Sequence, residues 1–198
     1  AEEPPLADPG YYLSNYCPKL QGIDNLSSDN SEAKKVQDVI SDFVINDDKI
    51  SGGTGFDRHP HKDMEIITYV RKGAITHKDS MDNEGITKAG DVQVMSAGFG
   101  IFHSEYNFEK EDTILYQIWI KPNKFGIQPR WDAKEFPKQY AKNSLYLLVS
   151  GRVEDADKDV LFINQDAAIY AGKIKTGDKI IQPIKYQGYI LVSQGKIL

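Results

Sequence analysis

Cysteine is nearly absent from this chain, since Cys17 is the only one among 198 residues. No intramolecular disulfide can form, so nothing in the sequence requires an oxidising compartment. Long hydrophobic runs are also missing, and no basic-then-apolar signal segment opens the chain. We therefore expect a cytoplasmic protein that does not span a membrane.

A surplus of positive charge is missing as well. The net charge is −5 and the isoelectric point lies near 5.4. The densest lysine pairs, such as Lys34-Lys35, are diluted by acidic and apolar neighbours. This balance argues against direct nucleic-acid binding, which needs a local cluster of lysine and arginine.

No stretch shows the 3.6-residue periodicity of an amphipathic helix. From Val39 onward, short apolar and β-branched segments alternate with turns rich in glycine, asparagine or aspartate. This texture predicts an all-β protein of closely spaced antiparallel strands, either a sandwich or a barrel. The predicted strands are 39–45, 64–73, 74–80, 90–97, 100–107, 113–121, 144–151, 159–174, 178–186 and 188–198.

The chain divides by composition into four parts: an atypical N-terminal segment (1–41), a first β block (42–127), a linker that has room for a short helix (128–143) and a second β block (144–198). Both β blocks place a Gly-Asp turn between strands, which suggests a weak internal duplication and two barrels. The segment 188–198 has the pattern of a strand inside a sheet. Either the last strands of the second barrel are absent from this chain, leaving it incomplete, or another segment closes it.

Three of the four histidines fall in two short motifs, His59-Pro60-His61 and His103-Ser104-Glu105. In an extended strand, residues i and i+2 point to the same face. Two such strands facing one barrel lumen can offer His59, His61, His103 and Glu105 to one metal ion. Fe(II) is favoured, and Mn, Co, Ni or Cu would also suit this set. Zinc stays an alternative, although structural zinc sites prefer cysteine. No histidine follows His103, so the second block cannot build a similar site.

Two further residues near these motifs are ambiguous. His77 is expected to be an exposed or hydrogen-bonded histidine without a metal role. Glu65 lies ~13 Å from His61 if the strand runs straight, which is too far to share an ion. A turn at Lys62-Asp63 would bring it close. We rank Glu105 as the ligand and Glu65 as a residue that lies behind the ligands or in the pocket, and this order stays open.

Apolar residues close to the motifs are candidates for a flat aromatic pocket, although for any single one of them a place in the barrel core is favoured. They are Phe56, Met95, Phe99, Ile101 and Phe102.

The stretch 53–107 resembles the N-terminal cupin domain of the pirin family. The motifs that carry the resemblance are HPHKDMEIITYV, HKDS, GDVQVMSAG and GIFHSE, and it extends through 115–120 and 134–137 and more loosely through 166–174. It implies a bicupin of two stacked β-barrels with one metal ion in the first. In the segment 1–41 the tryptophan-containing start and HTFSF-like strand usual for the family are missing.

The ligands implied by the resemblance are His59, His61, His103 and Glu105, because pirin-like sites use this later glutamate where other cupins use the one at position 65. Some family members resemble quercetinases, and others are described as nuclear iron proteins that modulate transcription factors. The first hypothesis is therefore a monomeric dioxygenase acting on a small aromatic, flavonol-like substrate such as quercetin, with Glu105 accepting the hydroxyl proton. The alternatives are a non-enzymatic, redox-sensing iron module that docks a transcription regulator, and a scaffold that the ion merely stabilises.

Overall fold

The computed structural model describes residues 43–185 and 187–197. The N-terminal segment 1–41, with Cys17, lies outside these described residues. Within them the chain is all-β, with twelve strands and one short 3-10 helix, Val153–Asp155. The strands are β1 (Phe43–Ile50), β2 (Gly55–His61), β3 (Glu65–Lys72), β4 (Ala74–Asp79), β5 (Glu84–Lys88), β6 (Val92–Ser96), β7 (Ile101–Tyr106), β8 (Thr113–Ile120), β9 (Arg130–Lys134), β10 (Tyr146–Ser150), β11 (Leu161–Phe162) and β12 (Ala168–Ala171).

The first nine strands form two antiparallel sheets that face each other. The large sheet has the order β1-β8-β3-β6-β9, and the small sheet has the order β2-β7-β4-β5. Apolar side chains from both sheets pack between them: Ile75 of the small sheet meets Val70 of the large one, and Ile101 meets Ile66. This is the predicted jelly-roll barrel of the cupin fold.

The large sheet is buried on both faces. On β3, Ile66 and Val70 point into the barrel, whereas Ile67 points outward and is still fully buried. Its cover is the second β block, whose Leu148 and Leu161 belong to the same apolar cluster as Ile67. Burial on both faces explains why β3 reads as a nearly continuous apolar run instead of an alternating one.

The second block contributes a third sheet, of order β11-β10-β12, in which β10 pairs antiparallel with β12 and parallel with β11. Beyond β12, the described residues of 175–197 contain no strand, so the strands predicted at 178–186 and 188–198 are not observed there. Ile181 is 72% exposed and Ile190 is 69% exposed. A β-prone sequence does not form a strand without a partner strand to pair with.

Two further predictions were wrong in detail. The strand predicted at 39–45 does not end at Ile45, because β1 continues to Ile50 and pairs with β8 along its whole length. The linker 128–143 contains no helix; its residues Arg130–Lys134 form β9, which pairs with β6 at the edge of the large sheet. In the described part of the chain, no helix has the length and apolar character that crossing a membrane requires.

Candidate metal centre

The two histidine motifs lie on neighbouring strands of the small sheet. Strand β2 pairs antiparallel with β7, and His59 lies directly opposite His103. The register shifts between Phe56 and His59, which is the signature of a β-bulge. Bulges re-aim side chains, and this one sets where the first motif points.

His59, His61 and His103 form a three-histidine cluster. Their candidate ligand atoms all lie within 4.8 Å of one another. The ring centroids are 4.8 Å apart for His59 and His61, 4.5 Å for His59 and His103, and 4.9 Å for His61 and His103. His61 and His103 are buried, and His59 is half-buried. The structure thus brings together three of the four predicted ligands.

The environment keeps these imidazoles neutral. Burial lowers the pKa of His61 and His103 well below the ordinary histidine value, and the neighbouring histidines lower it further. Burial also lowers the pKa of His59, against a hydrogen bond to the main chain of Asp57. That bond joins Nδ1 of His59 to the carbonyl oxygen of Asp57 at 2.6 Å. A carbonyl only accepts, so Nδ1 carries the proton and Nε2 keeps a lone pair.

One ring atom of the cluster lacks the partner that a buried polar atom normally has. Nε2 of His103 is buried without a hydrogen-bond partner among the described residues. Buried polar nitrogens are rarely left in this state, and a cation beside the ring would satisfy it. Three neutral imidazoles whose ring nitrogens lie this close together suit a first-row transition-metal ion.

Glu105, the fourth predicted ligand, accepts hydrogen bonds from three neighbouring side chains. Its Oε1 accepts from Nε2 of Gln93 at 2.6 Å and from the Thr68 hydroxyl at 3.4 Å. Its Oε2 accepts from Nε2 of Gln117 at 2.7 Å. Burial raises the pKa of Glu105 to about 7, and the nearby Asp48 adds to this rise, while the Thr68, Gln117 and Gln93 hydrogen bonds oppose it.

The candidate ligand atom of Glu105 does not lie within 4.8 Å of those of both His59 and His61. It lies instead within 4.8 Å of those of His77 and His103, in a second group that shares one histidine with the cluster. A place for Glu105 among the ligands of a single ion therefore stays a prediction.

A buried polar layer connects Glu105 to the cluster. The Thr87 hydroxyl donates to Oε1 of Gln93 at 2.8 Å, on one side of Glu105. On the other side, Nε1 of Trp119 donates to Oε1 of Gln117 at 3.0 Å. The Trp119 ring in turn packs edge-on against His61, with centroids 5.0 Å apart. These mutual contacts fix the side chains around the centre in one arrangement.

His77 was expected to be either exposed or hydrogen-bonded; it is hydrogen-bonded and not exposed, and its position beside the cluster was missed. It is fully buried, binds Asp79 at 3.0 Å and stacks on Trp131 at 5.0 Å. Its ring centroid is 5.2 Å from that of His103. The overlooked signal was His77-Lys78-Asp79, which has the same i, i+2 spacing as the two motifs that were recognised.

Glu65 is buried on the other side of the large sheet. Its Oε2 accepts from the Ser96 hydroxyl at 2.7 Å, and its Oε1 accepts from Nδ2 of Asn164 at 3.0 Å. It shares its face of β3 with Ile67, which packs against the second β block. The structure therefore does not bring Glu65 to the cluster, because alternation along β3 points it away from the barrel lumen.

Three of the five predicted apolar pocket residues lie in the barrel core, and two do not. Phe56 packs with the apolar cluster around Val70, and Met95 and Ile101 belong to the cluster that includes Trp119. The other two candidates lie outside the core: Phe99 is 51% exposed, and Phe102 lies under the guanidinium of Arg58 at 4.3 Å.

Comparison with known proteins matches the part of the chain that contains the three-histidine cluster to one family. The family model described as Pirin matches residues 19–120, a span that begins inside the segment the sequence set apart as atypical. A pirin-like protein of Caulobacter vibrioides is 49% identical over 156 residues, covering 78% of this chain and 66% of that protein. A quercetin 2,3-dioxygenase of Escherichia coli is 44% identical over 142 residues, covering 71% of this chain and 59% of that protein.

Solved structures agree with this assignment. The crystal structure of YhhW from Escherichia coli aligns with a TM-score of 0.58 at 48% identity, over 64% of this chain and 52% of that one. A second crystal structure shows the same bacterial pirin in complex with nickel(II), at a TM-score of 0.56 and 47% identity over the same shares. This chain spans less than two thirds of the length of the relatives it matches. By the matched family model and these relatives, the chain belongs to the pirin family.

Proposed function

We propose that this chain carries the metal centre of a dioxygenase that acts on a flavonol-like substrate such as quercetin. The observation that carries the proposal is the three-histidine cluster, whose neutral imidazoles converge next to a buried carboxylate. The name of the Escherichia coli relative, quercetin 2,3-dioxygenase, supports this substrate class. Cytoplasmic location and a monomeric state remain predictions.

The proposed ligands are His59, His61, His103 and Glu105, and the proposed ion is Fe(II). The nickel(II) complex of the bacterial pirin supports a site of this family that accepts late first-row ions. When bound, such an ion supplies Lewis-acid and redox chemistry.

Glu105 is the proposed base. Its pKa of about 7 lets the carboxylate take up a proton at neutral pH and release it again. Within the described part of the chain, Oε1 already accepts two hydrogen bonds, whereas Oε2 accepts one, from Gln117. A carboxylate oxygen has room for a further partner, so we assign the hydroxyl proton of the substrate to Oε2.

His59 marks the open side of the centre. It is half-buried, while His61 and His103 are almost fully enclosed. A substrate therefore approaches along β2, and the apolar clusters on either side of the polar layer exclude water from the remaining directions.

The test is turnover of quercetin under oxygen after anaerobic loading of the full chain with iron. We expect loss of the substrate's absorbance together with release of carbon monoxide. Glu105→Gln should abolish turnover, and Glu84→Gln is the matched control, because Glu84 is an exposed carboxylate paired with Lys78. Absence of turnover with Fe, Mn, Co, Ni and Cu would remove the quercetin assignment and favour the redox-sensing alternative.

A further inference from the structure

A second buried pair, His77 and Asp79, lies at the Nδ1 edge of His103. Nδ1 of His103 is 3.4 Å from Nδ1 of His77. Nε2 of His77 is 3.0 Å from Oδ2 of Asp79, and the side chains of both residues are fully buried. The three groups form one row of hydrogen bonds, here called the relay, which ends on a residue of the three-histidine cluster.

The direction of each hydrogen bond follows from what the groups can do. A carboxylate only accepts, so Nε2 of His77 donates to Asp79. Nδ1 of the neutral His77 ring then has only a lone pair, and it must accept the Nδ1 proton of His103. The lone pair of His103 is thereby placed on Nε2.

The far side of His103 leads to the same assignment independently. Its Nε2 is buried and has no hydrogen-bond partner among the described residues. A proton at that position would be buried without an acceptor, which is unfavourable. The proton therefore belongs on Nδ1, where His77 accepts it.

Asp79, the end of the relay farthest from the three-histidine cluster, is held in place by the turn between β4 and β5. Oδ1 of Asp79 accepts the main-chain N–H groups of Met81 at 2.9 Å and Asn83 at 3.1 Å. The Asn83 side chain donates to both carboxylate oxygens. Asp79 thus cannot rotate without losing several hydrogen bonds at once.

His77, in the middle of the relay, is held in place by an aromatic ring. Trp131 stacks on His77 with an interplanar angle of 9°. Flat stacking keeps the His77 ring in the plane that lets its two nitrogens reach Asp79 and His103 together.

We propose that Asp79 and His77 are positioning residues that set the tautomer of His103, so that its Nε2 offers a lone pair to the ion of the three-histidine cluster. Partners behind a metal ligand commonly fix its tautomer and orientation. The inference rests on the metal site in the proposed function, but it does not depend on dioxygenase activity.

The decisive substitution is Asp79→Asn. The amide oxygen should stay at the Oδ1 position, where two main-chain N–H groups require an acceptor, and the amide NH₂ should then face His77. His77 would have to accept at Nε2, donate from Nδ1 and force the proton of His103 onto Nε2. The matched control is Asp82→Asn, which removes the same charge from the same turn at an exposed residue whose positive φ of 64° suits asparagine.

Two readouts test the proposal. Two-bond ¹H–¹⁵N correlation spectra of the metal-free chain should show His103 protonated at Nδ1 and His77 at Nε2, with both reversed in Asp79→Asn. Competition titration with Ni²⁺ should show affinity reduced about 10- to 100-fold in Asp79→Asn and unchanged in Asp82→Asn.

Three results would overturn the proposal. The first is a wild-type spectrum with His103 protonated at Nε2, which decides the matter even if Asp79→Asn fails to fold. The second is an Asp79→Asn protein with reversed tautomers but undiminished Ni²⁺ affinity. The third is a crystal structure with a Ni²⁺ ion bound between His77 and Glu105, because His77 would then be a ligand itself. Failure of quercetin turnover changes none of these readouts.

Discussion

At the scale of single residues, Glu105 is a buried acid surrounded by neutral hydrogen-bond donors. Burial raises its pKa to about 7. Between pH 4.5 and 7 the folded chain therefore holds a proton that the unfolded chain has released. Stability contributed by this residue falls as the pH rises through that window. The buried histidines act in the opposite direction, because their pKa values are lowered and the unfolded chain takes up protons first.

Comparison with Glu105→Gln isolates this effect. A pKa change from 4.5 to about 7 corresponds to ~3 kcal/mol. We predict that wild type loses stability of this order relative to the variant between pH 4.5 and 8, measured by urea unfolding of the metal-free chain. A difference that does not change with pH would contradict the assignment.

The sequence was sufficient to predict that the three histidines lie close together, because a spacing of i and i+2 in an extended strand places both side chains on one face. It was insufficient for the acidic residues. Gln93 and Gln117, which engage Glu105, both lie twelve residues away along the chain. The side of the sheet to which Glu65 points depends on the register of β3, which no local pattern defines.

At the scale of elements, the loop between β6 and β7 sets how β7 presents His103. Gly98 in this loop has a φ of +50°, and an added Cβ would overlap the carbonyl oxygen of Ile127. That oxygen accepts the N–H of Phe99 at 2.9 Å, and the Gly98 carbonyl accepts the N–H of Asp63 at 2.8 Å. The loop therefore ties the entry to β7 to the segment that follows β2.

Gly98→Ala should destabilise the chain by more than the ~1–2 kcal/mol that a left-handed backbone costs an ordinary residue. Gly126→Ala separates the two causes, because Gly126 has a φ of +63° and no atom of the described residues lies within 4 Å of an added Cβ. Denaturant unfolding of both variants gives the comparison. Equal losses would mean that the loop yields to the extra atom.

Strand pairing also explains which element boundaries were predictable. The residues Asn46 to Ile50 look like a turn, yet they pair with β8 residue by residue, down to Ile50 opposite Thr113. Long-range pairing overrides local turn preference, and a single sequence does not reveal the partner. Of the two strands that carry the histidine motifs, β7 was predicted at 100–107, whereas β2 was not predicted, because few of the residues in Gly55–His61 are apolar.

At the scale of the whole molecule, the large sheet separates two interiors. Its inner face carries Gln93 and Gln117 of the polar layer and faces the sheet that bears the three-histidine cluster. Its outer face packs against the second β block, for example at Val94. The contacts with the second β block and the candidate metal site therefore lie on different sides of one sheet.

Leu161→Ala should lower the free energy of unfolding by ~2–5 kcal/mol, the usual range for such a buried truncation, because Leu161 is only 2% exposed. The Ni²⁺ affinity of the folded variant should be unchanged. Val153→Ala, at a side chain that is 89% exposed, should alter neither quantity. A loss of Ni²⁺ affinity in Leu161→Ala would show that the two faces are coupled.

Anomalous X-ray diffraction from crystals of the chain grown with nickel(II) decides whether the three-histidine cluster holds an ion. We predict one peak at about 2 Å from Nε2 of His103, a normal imidazole–metal distance, and bounded by His59 and His61. A peak between His77 and Glu105 with none at the cluster, or no peak under nickel-replete conditions, would contradict it.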